Sequence, residues 1–213
     1  MKVYNYGGGY DAYLDVQRRT TTRKRRRQWA TRGDMEFVAS ALVDHGYQTT
    51  SGICHGTRSG REQRWLMESL VKLGEVPGMV IGSELHPDGV READPLTFEH
   101  DFNKVRDDWV GRFSFVYSNS FDHAFDPAET LSVWAGQLRR GGVIILEHSR
   151  SHVRTSASDP TGGTIQDYHR LIKGCGLVRA RTLRHQSHDN DKRKCYFLIH
   201  NPPEDETERA HEA

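Results

Sequence analysis

The sequence predicts an α/β three-layer sandwich, an open and mainly parallel sheet covered by helices on both faces. Three observations lead there. Short, near-continuous apolar runs such as Val143-Ile144-Ile145-Leu146 read as strands buried on both faces. Stretches with apolar residues at helical spacing separate those runs. Glycines or polar clusters stand just after each run, where an open α/β sheet places its ligands.

The elements follow in order. Met1 to Tyr13 is rich in Tyr and Gly, and Gly7-Gly8-Gly9 predicts no regular structure. Leu14 to Arg32 has no strand pattern and reads as a long basic helix. Asp34 is the expected N-cap of the next helix, in which Phe37, Val38, Ala41 and Leu42 recur before Gly46 stops it. Tyr47 to Cys54 leans toward strand and leads into the turn His55-Gly56-Thr57-Arg58-Ser59-Gly60. A helix then starts at Arg61, with Leu66, Leu70 and Leu73 on one face and Gly74 as its cap.

Gly78 to Gly82 is a second strand, ending at Ser83-Glu84. Leu96 to Glu99 is a third, ending at His100-Asp101-Phe102, and Phe113 to Tyr117 a fourth, ending at Ser118-Asn119-Ser120. Pro127 opens a helix whose Leu131, Trp134 and Leu138 share a face. Gly141-Gly142 releases the chain into Val143 to Leu146. A helix over Thr164 to Lys173 precedes two strands, Leu177 to Leu183 and Tyr196 to Ile199. No helix separates that last pair, which predicts an antiparallel hairpin.

The chain has 213 residues, 24.4 kDa, 35% hydrophobic and 28% charged residues, and a mean hydropathy of −0.75. That length fits one domain with a core. No stretch approaches the roughly 20 apolar residues of a membrane span, and no signal-peptide core follows Met1, so a cytoplasmic protein is expected. Cys54, Cys175 and Cys195 form neither a disulfide framework nor a metal knuckle.

Charge is uneven. Arg18 to Arg32 holds eight basic residues and no acid, Asn201 to Ala213 carries −4, and the other 185 residues sum to −3. The expected organisation is a basic N-terminal arm and candidate lid (1–33), a main domain (34–200) and an acidic, disordered tail (201–213). A body at −3 speaks against a dedicated nucleic-acid binder.

Gly56 and Gly60 bracket a turn that lets backbone approach a ligand and feeds a helix N-terminus. The turn is neither G-x-G-x-x-G nor a phosphate loop, which disfavours a nucleotide hydrolase. Glu84 stands where an acid accepts from ribose hydroxyls, although a solvent-facing Glu at a strand end is an equal reading. Asp101 is placed to accept from an exocyclic adenine amine, with Phe102 as an apolar wall.

Ile53-Cys54-His55-Gly56-Thr57-Arg58-Ser59-Gly60, Val80-Ile81-Gly82-Ser83-Glu84, Asp101-Phe102, Phe115-Val116-Tyr117-Ser118-Asn119-Ser120-Phe121-Asp122-His123 and Leu138-Arg139-Arg140-Gly141-Gly142-Val143 together resemble class I S-adenosylmethionine-dependent methyltransferases. The nearest flavour is the small type 11 group, and the resemblance runs from Gly46 to Leu198. The glycine turn departs from that family's pattern, with His55 and Arg58 where small residues are common.

The resemblance implies a Rossmann-like, seven-stranded sheet with an antiparallel last strand, and S-adenosyl-L-methionine as cofactor. It implies that Gly56 and neighbouring backbone hold the methionine part, Glu84 the ribose and Asp101 the adenine, with His55, Thr57, Arg58, Gly60, Leu85 and Phe102 also among the cofactor-binding residues. Ser118 and Asn119 would line the methyl-transfer mouth.

Methyl transfer is an in-line displacement, so alignment is the main task. A hydroxyl acceptor needs a base, and His123 supported by Asp122 is the first candidate, with His148 second. The competing reading has His123 merely packing under a lid. The histidine pairs His148/His152 and His185/His188 lack further ligands at metal spacing, so no metal is expected. The arm reads as a solvated segment, as a recognition element for an anionic acceptor, or as a nucleic-acid tether. Gln17, Lys24 and Trp29 could belong to a lid. The reading favoured from sequence is O-methylation of a small, anionic or glycan-like acceptor. Its alternatives are an RNA or protein methyltransferase using Arg18 to Arg32, and a catalytically silent Rossmann-like binding protein.

Overall fold

The computed structural model describes residues 1–24, 27–87, 95–187 and 192–202. The tail beyond residue 202, Arg25-Arg26 and His188 lie outside them.

A two-residue strand, β1 (Lys2–Val3), opens the chain and is followed by α1 (Gly9–Lys24) and α2 (Arg32–Asp44). Then come β2 (Ser51–His55), α3 (Arg61–Lys72), β3 (Met79–Glu84), β4 (Thr97–Glu99) and β5 (Phe113–Ser118). The chain continues through α4 (Pro127–Gln137), β6 (Leu138–Ser149), β7 (Thr161–Gly162) and α5 (Ile165–Gly174). The strands β8 (Val178–Ser187) and β9 (Lys192–His200) close it.

Seven strands form one sheet in the order β4-β3-β2-β5-β6-β9-β8. The pairs from β4 across to β6 are parallel, and β9 runs antiparallel to both β6 and β8. The chain builds outward from β2 to β4, then returns to place β5 on the other side of β2. That reversal is the topological switch point, where the loops leaving β2 and β5 part and open a crevice.

Strand alternation divides the core between the two faces. Ile53, Val116, Ile144 and Phe197 pack with Leu131 and Trp134 of α4 and Tyr168 of α5. Their sequence neighbours Cys54, Phe115, Tyr117 and Ile145 pack with Met35 and Leu42 of α2 and Leu66 and Leu70 of α3. Each strand thus buries both sets of side chains, which is why the runs are so apolar.

Several boundaries differ from the sequence reading. The first helix begins at Gly9 and ends at Lys24 instead of spanning 14–32. The cap of α2 is Thr31, not Asp34. Thr31 Oγ1 accepts the Asp34 N–H at 3.2 Å, and Asp34 Oδ2 accepts the Thr31 N–H at 2.8 Å, a reciprocal capping box. Leu73 falls just past the end of α3 and is exposed. Leu138 starts β6 rather than ending α4, and Gly141-Gly142 lies inside that strand, beside a shift in the β5–β6 register. The β8–β9 hairpin is longer than expected, because its solvent-facing positions are polar and mask the strand pattern.

The N-terminal arm is integrated with the sheet's upper edge. β1 pairs antiparallel with β7. Tyr6 donates to the Ala157 carbonyl, and Tyr13 to the His123 carbonyl at 2.9 Å. No helix among the described residues is long and apolar enough to cross a membrane.

Candidate functional site

A crevice of about 440 Å³, counted with the open solvent at its mouth, lies at the switch point. Its floor comes from residues just beyond four strand ends: Gly56 after β2, Glu84 and Leu85 at β3, Asp101 and Phe102 after β4, and Ser120 after β5. Arg58 adds to the wall, and α1 supplies the roof through Tyr13, Gln17 and Thr21. Six of the sequence-derived cofactor residues therefore share one cavity: Gly56, Arg58, Glu84, Leu85, Asp101 and Phe102.

Gly56 has φ +70°, and a Cβ there would stand 2.7 Å from Ser120 Cβ, so the turn admits only glycine without a shift. Among the described residues Arg58 is the one non-glycine position with positive φ, at 53°. Its Nη1 donates to the carbonyls of Lys24 at 3.2 Å and Arg27 at 2.9 Å, tying the end of the arm to the glycine turn. Its Nε–H is buried without a hydrogen-bond partner.

Glu84 is buried, and Oε1 accepts the His86 N–H at 3.1 Å. Burial raises its pKa, partly offset by that N–H and by the Arg58 charge. Asp101 is more occupied than expected. Oδ1 accepts the backbone N–H and the side-chain amide of Asn103 at 3.0 and 2.8 Å, and Oδ2 accepts the Tyr10 hydroxyl. Asp101 Oδ2 keeps one lone pair for a further donor.

Other expected contacts lie beneath the crevice. His55 is fully buried, stacks on Trp134 with ring centroids 4.8 Å apart, and bonds Ser83 Oγ and Gln137 Oε1 at 2.8 Å each. Burial depresses its pKa to about 3. Thr57 Oγ1 lies within hydrogen-bond distance of both Glu62 Oε2 and Gln63 Oε1, at 2.8 and 2.6 Å, and Gly60 is the left-handed N-cap of α3. Ser118 donates to the His55 carbonyl at 3.0 Å and accepts the Ser120 N–H. These four residues shape the turn without lining the crevice. Likewise, His148 Nε2 bonds the Gly163 carbonyl at 3.0 Å, beside Tyr168, and lines neither cavity.

A second pocket of about 700 Å³ adjoins the first, and Ser120 and His123 line both. Asn119 and Asp122 belong to this second space, with Trp29 and Lys24 from the arm. Its far wall includes Glu147 and Lys194. Lys194 Nζ lies 2.6 Å from Asp34 Oδ2 and 3.0 Å from Glu147 Oε1, all three buried. Tyr117 and Tyr196 donate to Glu147 Oε2 at 3.1 and 3.2 Å. Burial opposes the Lys194 charge, but Glu147 and Asp34 outweigh it and raise the pKa.

His123 Nδ1 bonds Gln17 Oε1 at 2.9 Å. Because that oxygen only accepts, Nδ1 carries the proton and the neutral ring keeps its lone pair at Nε2. Nε2 lies 3.9 Å from Asp122 Oδ1 and 3.7 Å from Asp159 Oδ1. Asp122, His123 and Asp159 each bring a ligating atom within 4.8 Å of the others, a cluster the sequence reading did not anticipate. Asp159 lies between β6 and α5, in a segment with no periodic pattern to place it. No sequence signal joined it to His123.

The sequence matches no family model, and no curated protein matches it. Solved structures do. The chain is similar to a 1,6-didemethyltoxoflavin N1-methyltransferase of Burkholderia thailandensis, solved with bound 1,6-didemethyltoxoflavin and S-adenosylhomocysteine. The TM-score is 0.72 over 95% of this chain and 94% of that one, at 13% identity. A magnesium protoporphyrin IX methyltransferase of Synechocystis with bound S-adenosylmethionine superposes with a TM-score of 0.61, covering 92% and 100% of the chains at 14% identity. An N-methyltransferase of Bradyrhizobium japonicum gives 0.60 over 80% and 96%, at 12% identity. The chain has the Rossmann-like fold of class I S-adenosylmethionine-dependent methyltransferases.

Proposed function

We propose that this protein is an S-adenosylmethionine-dependent methyltransferase acting on a small polar acceptor. One observation carries the reading: Gly56, Glu84, Leu85, Asp101 and Phe102 line a single crevice that opens, past Ser120 and His123, into a second polar pocket.

The residues present fit the cofactor. Arg58 Nε–H is a buried donor lacking an acceptor, as a ligand carboxylate would supply. Gly56 leaves room where any side chain would collide with Ser120. Glu84 offers a buried carboxylate suited to two hydroxyl donors, and Phe102 an apolar face for a base. When bound, the cofactor supplies an electrophilic methyl on a sulfonium.

The chain's own residues do the remaining work. Gln17 fixes the His123 ring so that Nε2 faces the second pocket, where it can take the acceptor's proton. Asp122 and Asp159 stabilise the imidazolium that results. Roofing of the crevice by Tyr13, Gln17 and Thr21 excludes water from the transfer path. Titration calorimetry with S-adenosylmethionine and S-adenosylhomocysteine tests the reading: both should bind at sub-millimolar concentration, and no binding there refutes it.

A further inference from the structure

We propose that the second pocket binds an amine, and that the methyl acceptor is its nitrogen. The acceptor is a small molecule whose ammonium group sits against Asp122, Asp159 and His123 Nε2, and which carries a hydrogen-bond acceptor for Asn119. The binding claim stands by itself; the transfer to nitrogen rests on the methyltransferase reading.

The pocket's charge comes first. Three carboxylates and two lysines line it. Lys194 is committed to Asp34 and Glu147. Lys24 Nζ stands 3.9 Å from Asp159 Oδ1, so an ammonium already reaches the cluster from one side. An anionic acceptor would meet Asp122 and Asp159 with no uncommitted cation among the described lining residues.

The outward-facing atoms of the cluster are held from outside. Ser156 and Ser158 hydroxyls donate to Asp159 Oδ2 at 2.9 Å each. His152 Nδ1 accepts the Ser149 N–H at 3.2 Å, so its Nε2–H is the group facing Asp122 Oδ2 at 3.8 Å. Asp122 Oδ1 and His123 Nε2 converge with Asp159 Oδ1, which the Lys24 ammonium approaches from the other side.

Their spacing admits an ammonium. An ammonium nitrogen donating three tetrahedral hydrogen bonds of usual length needs acceptors roughly 4.6 Å apart. Ligands on a tetrahedral zinc ion stand only about 3.4 Å apart. The observed separations from Nε2 are 3.7 and 3.9 Å, and all three atoms fall within 4.8 Å. Both separations lie between the two spacings, so a small adjustment admits either ligand, and the orphaned Asn119 donor beside the cluster is what favours an organic ammonium.

Asn119 is an independent pointer. It is 9% exposed and lines the same pocket, and its Nδ2 is buried without a partner while its Oδ1 accepts the Ser120 hydroxyl at 2.9 Å. That orphaned donor asks for a carbonyl or ring nitrogen on the ligand. In the transfer itself, His123 Nε2 removes one ammonium proton. The freed nitrogen lone pair forms the N–C bond as the C–S bond breaks with its electron pair left on sulfur. The positive charge moves from sulfur to nitrogen, and His123 returns its proton to solvent.

Three matched probes test this: 3-(aminomethyl)benzamide, 3-(hydroxymethyl)benzamide and 3-carboxybenzamide, titrated calorimetrically into the full chain with and without S-adenosylhomocysteine. The amine should bind at least about tenfold tighter than the alcohol, and the carboxylate weakest. Asp122→Asn and Asp159→Asn should each reduce the amine preference below about threefold, with folding checked by circular dichroism. Lys24→Gln removes the competing ammonium and should tighten amine binding. Equal binding of alcohol or carboxylate overturns the proposal, as does binding of Zn²⁺ or Mn²⁺ that Asp159→Asn abolishes. Amine selectivity without S-adenosylhomocysteine binding would sink the methyltransferase reading and leave the amine site standing.

Discussion

Replacing Glu84 by Gln isolates its proposed role, because the amide keeps the shape and removes the charge. The carboxylate is 5% exposed and faces the crevice, with the His86 N–H as its close partner. Two ribose hydroxyls donating to it would form charged hydrogen bonds, each contributing about 1.5–3 kcal/mol. Gln accepts one of them without charge, so Glu84→Gln should weaken S-adenosylhomocysteine binding by about tenfold to a hundredfold. The pH dependence has a definite sign. Burial raises the pKa of Glu84 in the free protein, whereas hydroxyl donors favour the carboxylate and lower it in the complex. Binding therefore releases protons in the mildly acidic range, and affinity rises with pH until the free carboxylate is fully ionised. Calorimetry in buffers of different ionisation enthalpy reads both quantities. An affinity within threefold of wild type, with the same proton release, would refute the ribose assignment.

Three further outcomes concern stability. Lys194→Met leaves Asp34 and Glu147 buried without their cation and should cost about 3–5 kcal/mol in urea unfolding, with most recovered by adding Asp34→Asn and Glu147→Gln. Loss below about 1 kcal/mol would mean the triad is solvated. Gly56→Ala meets both a φ of +70° and the Ser120 side chain, so it should cost about 1–2 kcal/mol in torsion alone. Ser120→Gly in the same chain should relieve the collision and not the torsional part; full recovery would contradict the geometry. His55 and Glu62 oppose one another with pH. His55, depressed to about 3, adds stability as pH rises toward 6.5, while Glu62, raised to about 7 by burial, removes it above 4.5. Between pH 5 and 6.5, Glu62→Gln should therefore steepen the rise of stability with pH by about 1.4 kcal/mol per unit relative to wild type. Parallel profiles would show that Glu62 titrates normally.

The floor of the crevice was legible because it follows from strand ends. Gly56, Glu84 and Asp101 lie at or one to two residues past three parallel strands, so locating the apolar runs located them. His55 was misplaced for a reason the same pattern contains. It shares the parity of Ile53, so strand alternation turns it under the sheet toward Trp134 rather than up to the ligand. Lys194 has the parity of Tyr196 and Leu198, which face α2 and α3. Extending β9 backward by two residues would have shown a lysine entering a core, a signal that it must meet acids. Asp159 had no such handle, since it depends on how the segment after β6 folds back over His123.

The basic arm shows why charge along a sequence is a poor guide to charge in a site. Eight basic residues beside a crevice suggested an anionic acceptor. Helical geometry divides them differently. Tyr13, Gln17 and Thr20, spaced by four and three residues, are the buried positions of α1, so this face meets the sheet. Arg18, Arg19 and Arg23 fall on the opposite side and are exposed. At the helix end, Lys24 and Arg27 offer their backbone carbonyls to Arg58, so the arm presents acceptors as well as cations to the glycine turn. Only the Lys24 ammonium among the described arm cations lines the pocket, and it lies beside Asp159. An anion drawn to this arm would therefore meet the outer face of α1, in water and weakened by salt. The second pocket is lined instead by Asp122 and Asp159 together with the paired Glu147 and Lys194, and the amine proposed for it follows from that lining rather than from the arm.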